Sequence, residues 1–187
     1  NRGLSKNCLN QCEEAIKDFN KAIELNPKDF SSYNNRGISK YRLEKYEEAI
    51  KDFDKAIELN PRYVGTYKNR GSVKYILQRY EEALKDCSRA IELDSNYADA
   101  YSIRGLIKMK LRLYEEAIKD FDKSIEFNPQ HYDYFNRGSV KKTLKQYKEA
   151  IKDFNKVIEL NPKHTMTYNA ITYCYLYTEQ TEKALES

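Results

Sequence analysis

Residues 30–63 read FSSYNNRGISKYRLEKYEEAIKDFDKAIELNPRY, and the spacing of apolar residues within this stretch decides the fold. Tyr33, Gly37 and Leu43 recur at near-helical intervals in its first half; Tyr46, Ala49, Ile50, Phe53, Ala56, Ile57 and Leu59 do so more strongly in its second. Each series is the apolar stripe of an amphipathic helix. Arg42-Leu43-Glu44-Lys45 supplies a tight connection between the two helices. Asn60-Pro61 ends the second, because proline disfavours helical geometry in the residue before it and brings no N–H to the ladder. Gly37 and Ala49 are small where two antiparallel helices approach most closely.

The same features recur in both directions from this unit. Arg-Gly pairs stand at Arg2-Gly3, Arg36-Gly37, Arg70-Gly71, Arg104-Gly105 and Arg137-Gly138, with glycine spacings of 34, 34, 34 and 33. Ala15, Ala49, Ala83, Ala117, Ala150 and Ala184 keep step with them, as do Pro27, Pro61, Pro129 and Pro162, with Ser95 where one proline is missing. One residue fewer between Pro129 and Gly138 shortens a turn between repeats. Complete repeats over 30–63, 64–97, 98–130 and 131–164 lie between partial ones at 1–29 and 165–187. Second helices are expected near 12–25, 46–59, 80–93, 114–127 and 147–160, with a sixth begun at Thr181. The first residues fall mid-repeat without an initiator Met, so the chain reads as a fragment of a longer array. A hairpin of this size cannot bury its apolar face alone, and neighbours must stack to share a core.

Composition agrees with an all-α class: 6 Gly and 4 Pro in 187 residues leave few chain breakers. A net charge of +4 on 33 basic and 29 acidic residues predicts no strong chain-wide field for nucleic acid or anionic membrane. No run approaches the roughly 18 apolar residues of a membrane span. Cys8, Cys12, Cys87 and Cys174 occupy different repeat positions, unlike a disulfide framework or a repeated metal site, and favour free thiols and a cytoplasmic location. His131 and His164 sit beside turns between repeats, and no nucleophile-base or phosphate-loop arrangement appears, so an enzyme, a metal or a cofactor is not expected.

Tyr33, Gly37, Tyr46, Ala49, Phe53, Ala56 and Pro61 match the tetratricopeptide-repeat signature in type and spacing, and corresponding matches cover essentially the whole chain. The chain therefore resembles the tetratricopeptide-repeat family. That resemblance implies a right-handed superhelical α-solenoid of antiparallel helix hairpins, acting as a protein-protein interaction scaffold that holds a peptide or partner protein in a concave groove. The first helix of each repeat lines that groove in the family. Carried across, the lining is Asn34, Asn35, Ile38, Tyr41 and Arg42; Lys68, Asn69, Ser72, Tyr75 and Ile76; Ser102, Ile103, Leu106, Met109 and Lys110; Phe135, Asn136, Ser139, Lys142 and Thr143; and Asn169, Tyr173, Leu176 and Tyr177. Asn1, Asn35, Asn69 and Asn136 share one repeat position, resembling the asparagine ladder of some long family members, where amides pair with an extended peptide backbone. The family's carboxylate clamp is matched poorly, since Ser72 follows Lys68 where its Asn is expected.

The chain departs from the family where apolar residues usually flank the small glycine. Arg2, Arg36, Arg70, Arg104 and Arg137 precede it, and Lys6, Lys40, Lys74, Lys108 and Lys141 follow it by three. Antiparallel pairing keeps the sum of facing residue numbers near constant, which sets each Arg opposite Asp18, Asp52, Asp86, Asp120 or Asp153. Each Lys then faces Glu14, Glu48, Glu82, Glu116 or Glu149. An ion-pair ladder is expected, with pairing of each Arg to the preceding repeat's Asp as the alternative. Cys87 for the usual Phe, and Ser124 and Val157 for the usual Ala, read as packing variation. Two other functions compete with the scaffold: an RNA-binding helical-repeat solenoid, disfavoured by the small net charge, and self-association through the cut ends of the array.

Overall fold

Apolar stripes spaced for two helices, joined by a short turn, fold as a helical hairpin in every complete repeat. The computed structural model describes residues 2–185, with side chains over 11–178. The described residues form ten helices and no strand: α1 (Arg2–Leu25), α2 (Phe30–Arg42), α3 (Tyr46–Leu59), α4 (Val64–Ile76), α5 (Tyr80–Leu93), α6 (Ala98–Lys110), α7 (Tyr114–Phe127), α8 (His131–Thr143), α9 (Tyr147–Leu160) and α10 (Thr165–Leu185). The second helices α3, α5, α7 and α9 coincide with the expected spans. The chain divides into two compact units, Asn1–Ser95 and Asn96–Ser187. In the first, α1 to α5 pack in sequence and α2 also touches α4; in the second, α6 to α10 pack in sequence, with α8 touching both α6 and α10.

The core of each hairpin sits where the small residues let the helices close. Ala49, Ala83, Ala117 and Ala150 have no exposed surface. A methyl group at Gly37, Gly105 or Gly138 would meet the ring of Phe53, Phe121 or Phe154, whereas at Gly71 it would meet the Cys87 sulfur. Cys12, Cys87 and Cys174 are free thiols, all buried; Cys8 lies outside the described side chains.

The turn inside each hairpin uses a device that its composition hides. Glu44, Gln78, Arg112 and Lys145 all adopt positive φ, at 60, 60, 61 and 60°. Each occupies the left-handed position of a Schellman cap: Glu44 N–H donates to the Tyr41 carbonyl at 3.0 Å and Lys45 N–H to that of Lys40 at 2.9 Å, with matching bonds in the other three hairpins. Glycine is the usual occupant because left-handed geometry brings an L side chain too close to its own carbonyl. Gln78→Gly should therefore raise stability by about 0.5–1 kcal/mol, the steric relief exceeding the added freedom of the unfolded chain. An unchanged or lowered urea midpoint would show that the side chain carries no strain there.

Between hairpins, proline is helped by its asparagine. Asn26, Asn60 and Asn161 side-chain oxygens accept the N–H two residues on, at 3.2, 3.2 and 3.3 Å, and the hydroxyls of Tyr67 and Tyr168 donate to the carbonyls of Pro61 and Pro162 at 3.0 Å. The missing residue shortens the link from α7 to α8 to residues 128–130, against 60–63 and 161–164 elsewhere.

The expected hairpin breaks in both partial repeats are absent. α1 runs unbroken through residues 9–11, and α10 runs unbroken through Thr181. Cys12 and Thr181 replace the tyrosine that opens every complete second helix (Tyr46, Tyr80, Tyr114, Tyr147), and Thr178 replaces the leucine of the turn (Leu43, Leu77, Leu111, Leu144). Without those anchors nothing offsets a strained turn, and the helix continues.

Among the described residues the ion-pair ladder forms, with one addition. Arg36 grips Asp52 through two N–H groups at 2.9 and 2.6 Å, and Arg70–Asp86, Arg104–Asp120 and Arg137–Asp153 repeat the geometry. Lys40, Lys74 and Lys108 pair with their expected glutamates and, more closely, with the aspartates. Lys40, Lys74, Lys108 and Lys141 approach the same aspartates at 2.9, 2.9, 2.9 and 2.8 Å, while Glu48, Glu82 and Glu116 are 3.5, 3.4 and 3.3 Å from the first three. A long stem sets the ammonium between the exposed carboxylate and the buried one a turn further on, nearer the buried one. The alternative partner is engaged too: a third N–H reaches back to Asn20 from Arg36, to Asp54 from Arg70 and to Asp122 from Arg137. Tyr33, Tyr67, Tyr101 and Tyr134 each offer a ring face to the arginine three residues on, 5.3–5.8 Å away. The pairs of Arg2 and Lys6 lie outside the described side chains.

Candidate functional site

Within each compact unit the first helices bring part of the expected lining together, and its residues do different work. In the first unit Ile38, Tyr41, Arg42, Lys68, Asn69 and Ser72 surround an open pocket of about 340 Å³ between α2 and α4, with buried Phe53 at its base. In the second unit Phe135, Ser139, Lys142, Asn169 and Tyr173 line another, of about 260 Å³, with Ala170 and Met166. The expected list lacks Met166, which is 65% exposed. The signal for it was present: Met166, Asn169, Ala170 and Tyr173 follow one helix face, so the stripe begins a turn earlier than its assigned start.

Asn34 and Ser102 do not belong to an open lining, since each is only 5% exposed. The Asn34 oxygen accepts from the Thr66 hydroxyl at 3.0 Å and from the Asn69 amide at 3.2 Å, and its own amide donates to Asn35 at 3.3 Å. The asparagine row is thus partly engaged in joining α2 to α4, and only Asn35 among these three is exposed. Ser72 and Ser139 hydroxyls donate to carbonyls one turn back in their own helices, at 2.9 and 2.8 Å.

Ser102 belongs to a buried polar cluster that also revises the reading of Ser124 as packing variation. Asp133, 1% exposed, accepts from Ser102 at 2.5 Å and from Ser124 at 2.9 Å. Burial raises the Asp133 pKa, against the lowering effect of the two hydroxyl donors. Ser124 replaces alanine because a carboxylate on α8 needs a donor from α7.

Several apolar candidates serve the core. Leu106 and Met109 pack on Ala117, Phe121 and Val140, and the Phe135 ring lies 5.8 Å from Phe154 and 4.8 Å from His164. Tyr75 is half-buried 6.0 Å from the Tyr80 ring, and its burial raises the phenol pKa. Ile103 and Asn136 are half-buried on their helices. Tyr41 is exposed beside Tyr46; Tyr173 stacks on Tyr177 at 4.4 Å and takes the Lys142 ammonium over its ring at 5.2 Å. His131 and His164 rings stand 6.0 Å apart, and among the described residues no group of His, Cys, Asp or Glu is placed to hold a metal. No helix of the described residues is long and apolar enough to cross a membrane.

Comparison with known structures places this geometry among helical-repeat proteins. MamA from Desulfovibrio magneticus RS-1, residue 41 to the end, is 24% identical with a TM-score of 0.74, covering 87% of this chain and 94% of that one. A thermophilic TPR protein from Thermus thermophilus, TTC0263, is 19% identical at a TM-score of 0.72, covering 93% and 95%. YrrB, described as a TPR protein with an unusual peptide-binding site, is 25% identical at 0.71, covering 86% and 84%. A search of curated proteins gives no match to the sequence. The tetratricopeptide-repeat model matches residues 30–63, 65–97, 98–131 and 132–164, and a related TPR-repeat model matches 8–44. With its hairpins, their small-residue crossings and these matches in agreement, the chain belongs to the tetratricopeptide-repeat family.

Proposed function

We propose that this chain is a protein-interaction scaffold whose first helices receive a peptide or a segment of a partner protein. The observation that carries the reading is the pocket between α2 and α4, where apolar Ile38, Tyr41 and Phe53 meet polar Lys68, Asn69 and Ser72. Binding sites combine these elements: an apolar surface for anchoring side chains and a few polar groups to fix orientation. On α3, by contrast, Lys51, Asp54 and Glu58 are charged and exposed. Family membership points the same way, because tetratricopeptide-repeat proteins are generally non-enzymatic scaffolds for protein or peptide partners. A cytoplasmic setting fits the free, buried thiols of Cys12, Cys87 and Cys174.

Photo-crosslinking residues placed singly at Tyr41, Ser72 and Tyr173 should capture a common partner, whereas Lys51 and Lys152, exposed on α3 and α9, should not. Equal capture from both sets of positions would overturn the assignment of the face.

A further inference from the structure

The buried cluster at Asp133 has one hydrogen fewer than its contacts can use. Ser124 owns a single hydroxyl hydrogen, yet its Oγ lies within hydrogen-bond distance of two acceptors, Asp133 Oδ2 at 2.9 Å and the Ala98 carbonyl at 3.1 Å. With Asp133 ionised, Ser102 donates to Oδ1 at 2.5 Å and Ser124 to Oδ2, which leaves the Ser124–Ala98 contact as two oxygens with no hydrogen between them. With a proton on Oδ2 every contact is a bond: Asp133 donates to Ser124, Ser124 to Ala98, and Ser102 still to Oδ1. Among the described residues no Lys or Arg pairs with this buried carboxyl. At the equivalent place in the first unit the partners are neutral, since Thr66 donates to Asn34 at 3.0 Å and Ala56 stands where Ser124 does.

From this count of hydrogens we infer that Asp133 is a proton-binding site that couples the packing of α6, α7 and α8 to pH, a proton from solvent completing the seam between them. Burial is the largest influence on the carboxyl and favours its neutral form; Asp99 on α6 adds to it, the two hydroxyls and His131 oppose it, and the balance is a raised pKa. The His164 ring, from the link before α10, stands 6.0 Å from that of His131. On α7 the charged neighbours of Ser124, Lys123 and Glu126, pair with each other at 2.7 Å, and on α9 Lys156 and Glu159 do likewise. Arg137, a turn along α8, is held by Asp153 and Asp122, and residues 165–178 of α10 include no Asp, Glu, His, Lys or Arg. A folded carboxyl with a raised pKa takes its proton before the unfolded chain does. The second unit therefore gains stability from Asp133 as pH falls through the folded value, with the full gain below the unfolded value of about 3.9. Because α8 also carries Phe135, Ser139 and Lys142, the proton steadies the helix that lines the α8–α10 pocket.

The test is a carboxyl-carbon NMR titration of the full chain, with the Asp133 signal assigned by its loss in Asp133→Asn, together with amide hydrogen exchange in α6 and α8. The Asp133 midpoint should lie above the ordinary aspartate value of about 3.9. Asparagine reproduces the protonated arrangement, since its amide donates to Ser124 and its oxygen accepts from Ser102. Protection of α6 and α8 should therefore be several-fold greater in Asp133→Asn than in the unsubstituted chain at about pH 7.5, and the two should converge as the pH is lowered to about 4.5. His131→Gln should leave the Asp133 titration in place and move it upward, because a charge that favours the carboxylate is gone. A midpoint at or below about 3.9 would overturn the inference. So would a pH response that persists in Asp133→Asn and disappears in His131→Gln, which would assign it to the histidines. The midpoint is read on the unsubstituted chain and decides the outcome even where a variant fails to fold.

Discussion

Asp86→Ala should destabilise the first unit by about 3 kcal/mol, the scale on which a buried ion pair responds to the loss of one partner. Asp86 is buried and holds two cations at once: Arg70 by two N–H groups and Lys74 at 2.9 Å. Truncation leaves both poorly hydrated cations with only an exposed partner each, Asp54 for Arg70 and Glu82 for Lys74. For Arg70, burial lowers the pKa and the bonds to Asp86 and Asp54 outweigh it to give a net rise; a guanidinium stays protonated in proteins, so truncation leaves a cation in place. Asp54 contacts the same guanidinium, but its side chain is 54% exposed, and Asp54→Ala should cost under about 1 kcal/mol. Arg70→Leu should cost less than Asp86→Ala, because Lys74 remains to neutralise the aspartate. Urea unfolding combined with hydrogen exchange in α4 and α5 measures this, since helical repeats need not unfold together. Equal and negligible losses at Asp86 and Asp54 would reduce the ladder to a solvated edge.

The second large effect is a contrast between two glycines at one repeat position. Gly105→Ala should destabilise by about 1–2 kcal/mol, while Gly71→Ala should be close to neutral. A methyl group on Gly105 would lie 2.8 Å from a carbon of the fully buried Phe121 ring, which cannot swing away without moving α7. On Gly71 it would lie 3.1 Å from the Cys87 sulfur, a contact relieved by a few tenths of an ångström. Both changes gain the helix-forming advantage of alanine over glycine, about 1 kcal/mol, so the sign depends on the neighbour. Phe121→Cys should remove most of the additional cost of Gly105→Ala in a double-mutant cycle. If both glycines respond alike, the crossing is set by backbone contact and the ring is irrelevant.

The hairpins were legible in the sequence because their signals are local and repeated. Apolar spacing placed four second helices at their observed bounds, and the small residues at 37 and 49 marked the crossing. Pairing across the hairpin found the aspartates of Arg36, Arg70, Arg104 and Arg137, because a planar guanidinium meets the facing carboxylate through two fixed N–H groups. It found the glutamates of Lys40, Lys74 and Lys108 but not their closer second partner, the aspartate a turn further on, which a flexible stem also reaches. The left-handed turns were hidden because Glu44, Gln78, Arg112 and Lys145 share no side-chain chemistry and none is glycine. In the binding face, helical periodicity gave direction but not depth: Asn34 and Asn35 are adjacent in sequence, yet one is buried in a bonded network and the other exposed. A charge summed over the chain also conceals that α2 and α4 carry cations and no carboxylate.

The backward reach of the arginines bears on how such a chain can lengthen. Arg70 docks its hairpin onto Asp54 of the one before, and Arg36 docks onto Asn20 in the same way. Residues 30–63 therefore contain both halves of the latch: the donor Arg36 and, for whatever follows, the acceptor Asp54. An in-frame duplication of that segment would bring a junction ready to close on itself, so growth by copying requires no new pair of residues to arise together.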